Sequence, residues 1–167
     1  MKKHLKQIQQ IVRISLSDIE MHSKSAENLL MGTGAVESRF EYLRQVGGSG
    51  IARSWWQIEP DTAFDNIHSW LGFRKKRLKE LAKSCFLDET FLANLDLGQA
   101  TSILTYNLKF ACQMARIKYY RVPKPLPDAD DVEGLGEYWL RYYNTGGKWG
   151  KGKGSIDKWM EAQKLLK

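Results

Sequence analysis

The sequence predicts an all-α fold, and two observations favour this class. The four prolines are Pro60, Pro123, Pro125 and Pro127, so only one proline precedes residue 123. Long stretches without proline and without strand-like alternation favour helices, because proline interrupts a helix interior. Apolar residues also recur at helical spacing along most of the chain. We therefore expect one compact helical domain of 167 residues around one core.

The apolar spacing places the helices of the first half. It predicts one helix over residues 3–14 and a second that Ser23 or Ser25 caps and that reaches Glu37. Residues 41–60 are rich in Gly, Ser and aromatics, and they predict an ordered loop or a short hairpin. Asp61 is expected to cap a helix over residues 62–70.

The second half begins with a basic amphipathic helix, predicted over residues 74–85. Residues 98–120 are apolar around most of the helical circumference and predict one long, buried central helix. After the proline-rich connector, a helix with acidic residues at its start should run to Tyr143, since acids are favoured near the positive end of the helix dipole. A glycine-rich segment over residues 145–154 should be mobile, and a last helix should cover residues 155–166.

Charge and composition limit the classes of function. The net charge of +7 and the pI of about 9.4 indicate an anionic partner, such as nucleic acid, an anionic membrane surface or the bacterial cell wall. No apolar run is long enough for a transmembrane helix, and the N-terminus lacks the apolar run of a signal peptide. Cys85 and Cys112 sit among apolar residues and should be buried thiols, although a disulfide stays open. The three histidines are scattered, so we expect no metal site and no cofactor.

Three short segments carry candidate chemistry: GAVESRF at residues 34–40, GGSGIARSWWQIEPDTA at 47–63, and YYNTGG at 142–147. Glu37 lies where an apolar helix gives way to a loop. Aromatic walls from Trp55, Trp56 and the tyrosines would disfavour its ionised form. A raised pKa is what a carboxyl group needs to donate a proton at neutral pH. Glu37 is therefore the candidate general acid.

These segments resemble those of lytic transglycosylases and goose-type lysozymes. That family has an E-S-x-F segment that begins with its catalytic Glu, then an apolar pair followed by Q-x-x-P-x-T-A, then Y-N-x-G. The corresponding segments here are ESRF at 37–40, WQIEPDTA at 56–63 and YNTG at 143–146. Where the family usually has Gly-Leu-Met-Gln, this sequence has Ser54, Trp55, Trp56 and Gln57. The resemblance is greatest to the short versions that tailed bacteriophages encode, which is an analogy rather than a derivation.

The resemblance implies a lysozyme-like fold whose functional core covers about residues 23–147. Residues 1–22 would form an N-terminal helical extension, and residues 148–167 a Gly/Lys-rich segment and a C-terminal helix. Glu37 would be the catalytic residue, protonating the glycosidic oxygen between N-acetylmuramic acid and N-acetylglucosamine and then acting as a base. The product would be a 1,6-anhydro sugar. Glu59 could be proposed as a second carboxylate, but we expect it to have a structural or solvent role. The substrate-binding residues would be Gln57, Trp56, Tyr143, Asn144 and Ser38. Tyr143 would also form a hydrogen bond near Glu37, so Glu37, Gln57 and Tyr143 are expected to converge on one groove.

By the same resemblance, the partner would be bacterial peptidoglycan, with other virion proteins as further partners. The protein would be virion-associated, or in the host cytoplasm before delivery to the cell wall. Three alternatives stay open: a hydrolytic lysozyme of the same fold, a non-catalytic structural or wall-binding virion component, and a small basic nucleic-acid-binding domain. The last would need arginines on a recognition helix. The basic helix here is mostly lysine, so specific nucleic-acid binding is not expected.

Overall fold

The computed structural model describes residues 2–144 and 153–167, the first three of the second range by backbone alone. Within these residues the protein is helical and contains no strand, which confirms the all-α prediction. The helices are α1 Lys3–Ser17, α2 Lys24–Ser38, α3 Pro60–Asp65, α4 Lys75–Ser84, α5 Glu89–Ala93, α6 Leu97–Tyr106, α7 Leu108–Tyr120, α8 Val132–Tyr142 and α9 Lys153–Gln163. A π-helical turn and a 3-10 turn continue α3 to Phe73, and a 3-10 turn over Lys164–Leu166 follows α9.

Helix α7 lies at the centre of the hydrophobic core. Its residues Phe110, Met114 and Ile117 are fully buried, and α1, α2, α4 and α6 all pack against it. A helix that is apolar around most of its circumference is stable only when other elements surround it. The expected buried central helix is therefore present, and it carries Lys118 and Tyr119 into the region of the candidate site.

The prediction of one continuous helix over residues 98–120 is wrong, because the chain breaks at Asn107. This residue is extended, with φ −109° and ψ 91°, and it ends α6 and begins α7. Its side chain accepts a hydrogen bond from the Phe110 amide at 3.0 Å and donates one to the Cys85 carbonyl, also at 3.0 Å. Asparagine is among the best helix N-caps, and here its capping bonds compete with helix continuation.

Two other boundaries differ from the expectation. Helix α3 begins at Pro60 with Glu59 at its N-cap, so Asp61 lies inside the first turn and does not cap the helix. Proline is favoured at a first helical position because its missing amide would have no partner there. The sequence reading also missed α5, a short helix that the side chain of Asp88 caps. The loop over residues 41–59 is ordered as expected, with isolated antiparallel bridges in place of strands.

Both terminal helices belong to the main core. Leu5, Val12 and Leu16 of α1 and Trp159 of α9 are fully buried in the same apolar cluster as α7. The packed core therefore extends beyond residues 23–147, while the extent of the functional region stays a prediction. Of the predicted mobile segment over residues 145–154, residues 145–152 lie outside the described part of the chain, and residues 153 and 154 belong to α9.

A buried carboxylate ties α1 to α2. Glu27 accepts bonds from Arg13 at 2.9 Å and Lys24 at 2.8 Å, and lies 3.0 Å from His22. Burial opposes ionisation of Glu27, but its hydrogen bonds to these three residues outweigh the burial and hold the pKa of the carboxyl well below its usual range. This carboxylate is accounted for by its partners and has a structural role.

Cys85 and Cys112 are buried free thiols, as expected. No described helix is long and apolar enough to cross a membrane. Among residues 2–144 and 153–167, no group of three or more His, Cys, Asp or Glu side chains is placed to hold a metal ion.

Candidate active site

The three sequence segments meet in one groove of about 490 Å³. Glu37 comes from the last turn of α2, Gln57 from the loop over residues 41–59, and Tyr143 and Asn144 from the end of α8. The expected convergence of Glu37, Gln57 and Tyr143 is therefore confirmed. A second depression of about 340 Å³ shares Thr62 and Lys118 with this groove and adjoins it.

Glu37 is placed by an abrupt end to α2. Arg39 and Phe40 both adopt left-handed conformations, with φ of 55° and 59°, so the chain reverses immediately after the helix. The Phe40 ring returns onto Gly34, where an added Cβ would lie only 2.3 Å from a ring carbon. Consecutive left-handed non-glycine residues cost about 1–3 kcal/mol each, and such strain is concentrated at functional sites. The close packing of Phe40 on a glycine holds this strained turn.

Ser38 has a structural position. Its hydroxyl donates to the Trp55 carbonyl at 2.7 Å, and the side chain is buried. Because Ser38 is not among the residues that line the groove, its expected role in substrate binding is corrected to holding the loop against α2.

Trp56 is also a core residue. Its side chain is 0% exposed, and its indole donates to the Leu30 carbonyl at 3.0 Å. The neighbouring Trp55 is half-buried and packs edge-on against Phe40, with ring centres 5.8 Å apart. The sequence prediction that Trp56 binds substrate is corrected accordingly, since its side chain does not reach the groove. Trp55 also packs against the core but stays partly exposed, whereas Trp56 is enclosed in it.

Within the described part of the chain, the carboxyl group of Glu37 has one close hydrogen-bond donor, the indole of Trp139. Trp139 Nε1 donates to Glu37 Oε1 at 2.9 Å. Burial raises the pKa of Glu37, while the Trp139 hydrogen bond and the positive charge of Lys118 reduce the shift without cancelling it. The result is a half-buried carboxyl group that retains its proton to higher pH than an exposed glutamate does, as a general acid requires.

Lys118 joins several parts of the groove. Its ammonium donates to the Tyr143 carbonyl at 2.9 Å and lies 4.2 Å from the centre of the Tyr143 ring. Burial lowers the pKa of Lys118, and the charges of Glu37 and Glu59 oppose that change. The lysine is thus a cation close to both carboxylates that line the groove.

Tyr143 is buried behind the groove surface and does not bond to Glu37. Its hydroxyl donates to the Trp56 carbonyl at 2.7 Å, and its ring stacks on Tyr119 with centres 5.0 Å apart. These contacts fix the end of α8 against the loop that carries Gln57. The hydrogen bond near Glu37 that was expected from Tyr143 is supplied by Trp139 instead.

Sequence reasoning missed two of these side chains and discounted a third. Trp139 stands one helical turn before Tyr143, so the spacing places both on one face of α8 and could have revealed it. Lys118 is a charged residue in a helix that is otherwise largely apolar, and such a residue is seldom buried without a partner. Glu59 was assigned a structural or solvent role, but it lines the same groove as Glu37.

The loop below the groove contains two more left-handed residues, Ser54 with φ 64° and Gln57 with φ 46°. The Gln57 side chain donates to the Ser54 carbonyl at 2.7 Å, and Ser54 is fully buried. A left-handed conformation suits glycine because glycine has no Cβ to collide with the carbonyl oxygen.

We expect Ser54→Gly to be more stable than Ser54→Ala by about 1 kcal/mol, because both lose the same hydroxyl but only alanine keeps the strained Cβ. Urea denaturation of the two variants measures this difference, and the shared loss of the Ser54 bond from the Trp56 amide cancels in the comparison. Equal stability would mean that the left-handed conformation at this position is not strained.

The raised pKa of Glu37 predicts a pH-dependent cost to folding. The folded protein keeps the proton to higher pH than the unfolded chain, whose carboxyl has the ordinary pKa of 4.5. The free energy of unfolding should therefore fall as pH rises from about 4.5 through the raised pKa, and remain lower above it. Glu37→Gln has no such proton, so its stability relative to the unsubstituted protein should increase across that window. Denaturation at a series of pH values measures it, and a difference independent of pH would contradict the raised pKa.

No known protein family, no curated protein and no solved structure matches this chain. The chemistry of the groove therefore rests on its own residues and on the three segments.

Proposed function

We propose that this protein cleaves the glycan strands of bacterial peptidoglycan as a lytic transglycosylase, with Glu37 as its general acid. The observation that supports this most directly is the position of Glu37. It is a half-buried carboxyl group with a raised pKa, in a groove that residues of all three family-like segments line. The second depression beside the groove gives room for a substrate longer than one sugar unit.

Two features of the loop fit the family resemblance. Ser54 replaces the glycine usual at that place in the family, and it has the left-handed backbone that glycine favours. The second segment also contacts the third, through the bond from Tyr143 to the Trp56 carbonyl. Both features link the matched residues to one another in the folded protein, which supports a resemblance that is more than a chance match of short segments.

In the proposed reaction, protonated Glu37 donates its proton to the glycosidic oxygen as the bond from that oxygen to the muramic acid anomeric carbon breaks. The ionised Glu37 then accepts the proton of the muramic acid C6 hydroxyl, whose oxygen forms the new bond to the anomeric carbon. The product is a 1,6-anhydro sugar, and no water is consumed. The hydroxyl and the N-acetyl group of the substrate replace the second carboxylate that most glycosidases need. Gln57 and Asn144, which line the groove, would contact the sugars.

A hydrolytic lysozyme is the second candidate, and Glu59 is the observation that favours it. This exposed carboxylate lines the groove together with Glu37, and so has the surroundings of a base that could activate water. We favour the transglycosylase because Glu37 can act first as the acid and then as the base, so that this reaction needs no second carboxylate.

The products of peptidoglycan digestion test this choice. Sacculi incubated with the purified protein should release fragments with 1,6-anhydro ends and no incorporated label from isotope-labelled water. A Glu59→Gln variant should keep most of its turnover, since Glu59 takes no part in the proposed steps. Mass spectrometry of the soluble fragments reads both results. Labelled reducing ends, together with loss of turnover in Glu59→Gln, would replace the transglycosylase by a lysozyme.

The positive charge fits an anionic wall polymer. Lys75, Lys76 and Lys79 on α4 are exposed and form a basic face, and none of them lines the groove. The likeness to phage-encoded enzymes leads us to propose delivery to the wall as a virion component. A protein that binds sacculi but releases no fragments would instead be a non-catalytic wall-binding component.

A further inference from the structure

The side chains behind Glu37 form a continuous series that leads to the C-terminal helix. Trp139 on α8 donates to Glu37, and the Trp139 ring stacks on the Trp159 ring of α9 with centres 5.7 Å apart and planes 26° from parallel. Trp159 is itself held, because its indole nitrogen donates to the Val132 carbonyl at 2.9 Å. Trp139 is the only hydrogen-bond donor described for the Glu37 carboxyl group. It therefore packs against Trp159, a residue far from Glu37 in sequence.

Two glycines create the space for Trp159. An added Cβ on Gly32 would lie 2.2 Å from an indole carbon, and one on Gly136 would lie 2.6 Å from another. Gly32 is on α2 with Glu37, and Gly136 is on α8 with Trp139. The fully buried indole thus lies between the two helices that carry the acid and its hydrogen-bond donor. A side chain of another shape could not fill this space with the same contacts.

We propose that Trp159 is a positioning residue for Glu37 and acts through the indole of Trp139. This inference rests on the proposed function for its effect on turnover. Trp159 restricts the rotation of the Trp139 ring, and that ring orients the carboxyl group toward the scissile bond. Trp159 then contributes to the position of the acid, although it lies outside the three segments that resemble the family.

The contacts described for Trp159 involve none of the other titratable groups around Glu37. These groups are Lys118 and Tyr119 of α7, Tyr143 at the end of α8, and Glu59 across the groove. A hydrogen bond from Trp139 favours the ionised form of Glu37, so a looser Trp139 should raise the pKa of Glu37 further. The change should affect kcat more than KM, because the residues proposed to contact sugar are unchanged.

The test uses the full chain with isotope-labelled glutamate side chains and follows the titration of Glu37 by NMR. The signal that is lost in Glu37→Gln identifies Glu37. Trp139→Phe removes the donor and should raise the Glu37 pKa by about one unit, the effect of one hydrogen bond to a charged group. Trp159→Leu should raise it by a smaller amount and lower kcat by about tenfold, with KM little changed. Trp159→Phe, which keeps an aromatic ring against Trp139, should show a measurable but weaker effect.

Met160→Ala is the matched control. Met160 follows Trp159 on α9 and is 42% exposed, and it is Trp159, not Met160, whose ring stacks on Trp139. If Trp159→Leu does not fold, the comparison of Trp159→Phe with Met160→Ala decides. Equal Glu37 titration in those two variants would overturn the role of Trp159, even if Trp139→Phe shifts it. Because titration does not require turnover, it stays decisive if Glu37→Gln proves active and the proposed function fails.

Discussion

Glu37→Gln should reduce peptidoglycan lysis by at least about 10²–10⁴-fold, the usual contribution of a general acid. Glutamine keeps the size of the side chain and an oxygen that can accept the bond from Trp139, but it has no proton to donate. The fold should survive the change, since above the raised pKa the substitution also removes a charge that burial disfavours. Release of soluble fragments from sacculi measures the loss.

The control is Glu41→Gln, which changes a carboxylate shortly after Glu37 that is exposed and does not line the groove. Its only described ion pair, to Arg39 at 3.9 Å, is long and exposed and should contribute little. Glu41→Gln should lyse sacculi at the unsubstituted rate. Near-normal lysis by a folded Glu37→Gln protein would remove the enzymatic proposal entirely.

Trp56→Ala should lower the free energy of unfolding by about 3–5 kcal/mol, the cost of truncating a large aromatic in a core. Trp56 is fully buried, and its indole bond to the Leu30 carbonyl would be lost as well. A loss of this size is a large fraction of the stability of an ordinary domain. Chemical denaturation with urea measures it.

Trp55→Ala is the comparison, because Trp55 is only partly buried and should lose less stability. If Trp56 were a sugar-binding residue at the surface, the two variants would differ little in stability, and Trp56→Ala would mainly raise KM. Such a result would support the prediction from the sequence that Trp56 binds substrate.

Helix patterning allowed much of the fold to be predicted from the sequence. The apolar spacing predicted α1, α4 and α8 closely, because each buries one stripe of side chains whose period can be recognised in the sequence. It also predicted α2, which is buried around most of its circumference and begins after the capping residue Ser23. The break at Asn107 was not predicted, since apolar residues continue on both sides of it. Whether an asparagine interrupts a helix depends on partners such as the Cys85 carbonyl, which only the folded chain supplies.

The candidate site could be predicted in part from the sequence, because several of its residues lie in short local segments. Glu37, Gln57, Tyr143 and Asn144 were chosen from local segments, and all four line the groove. Trp56 and Ser38 lie in the same segments but are buried, because a short pattern records residue type and not the direction of a side chain. Lys118 belongs to no segment, and its position depends on how α7 crosses the core.

The sequence by itself determined that the protein is helical and basic and that an acidic residue, Glu37, lies at a helix end. These properties depend only on composition and on the local sequence pattern. Only the tertiary structure decided which groups surround that acid. Trp139, Lys118 and the stacked Trp159 come from three helices that are distant in sequence. The pKa of a carboxyl group depends on burial and on donors within a few ångströms, and packing sets those distances.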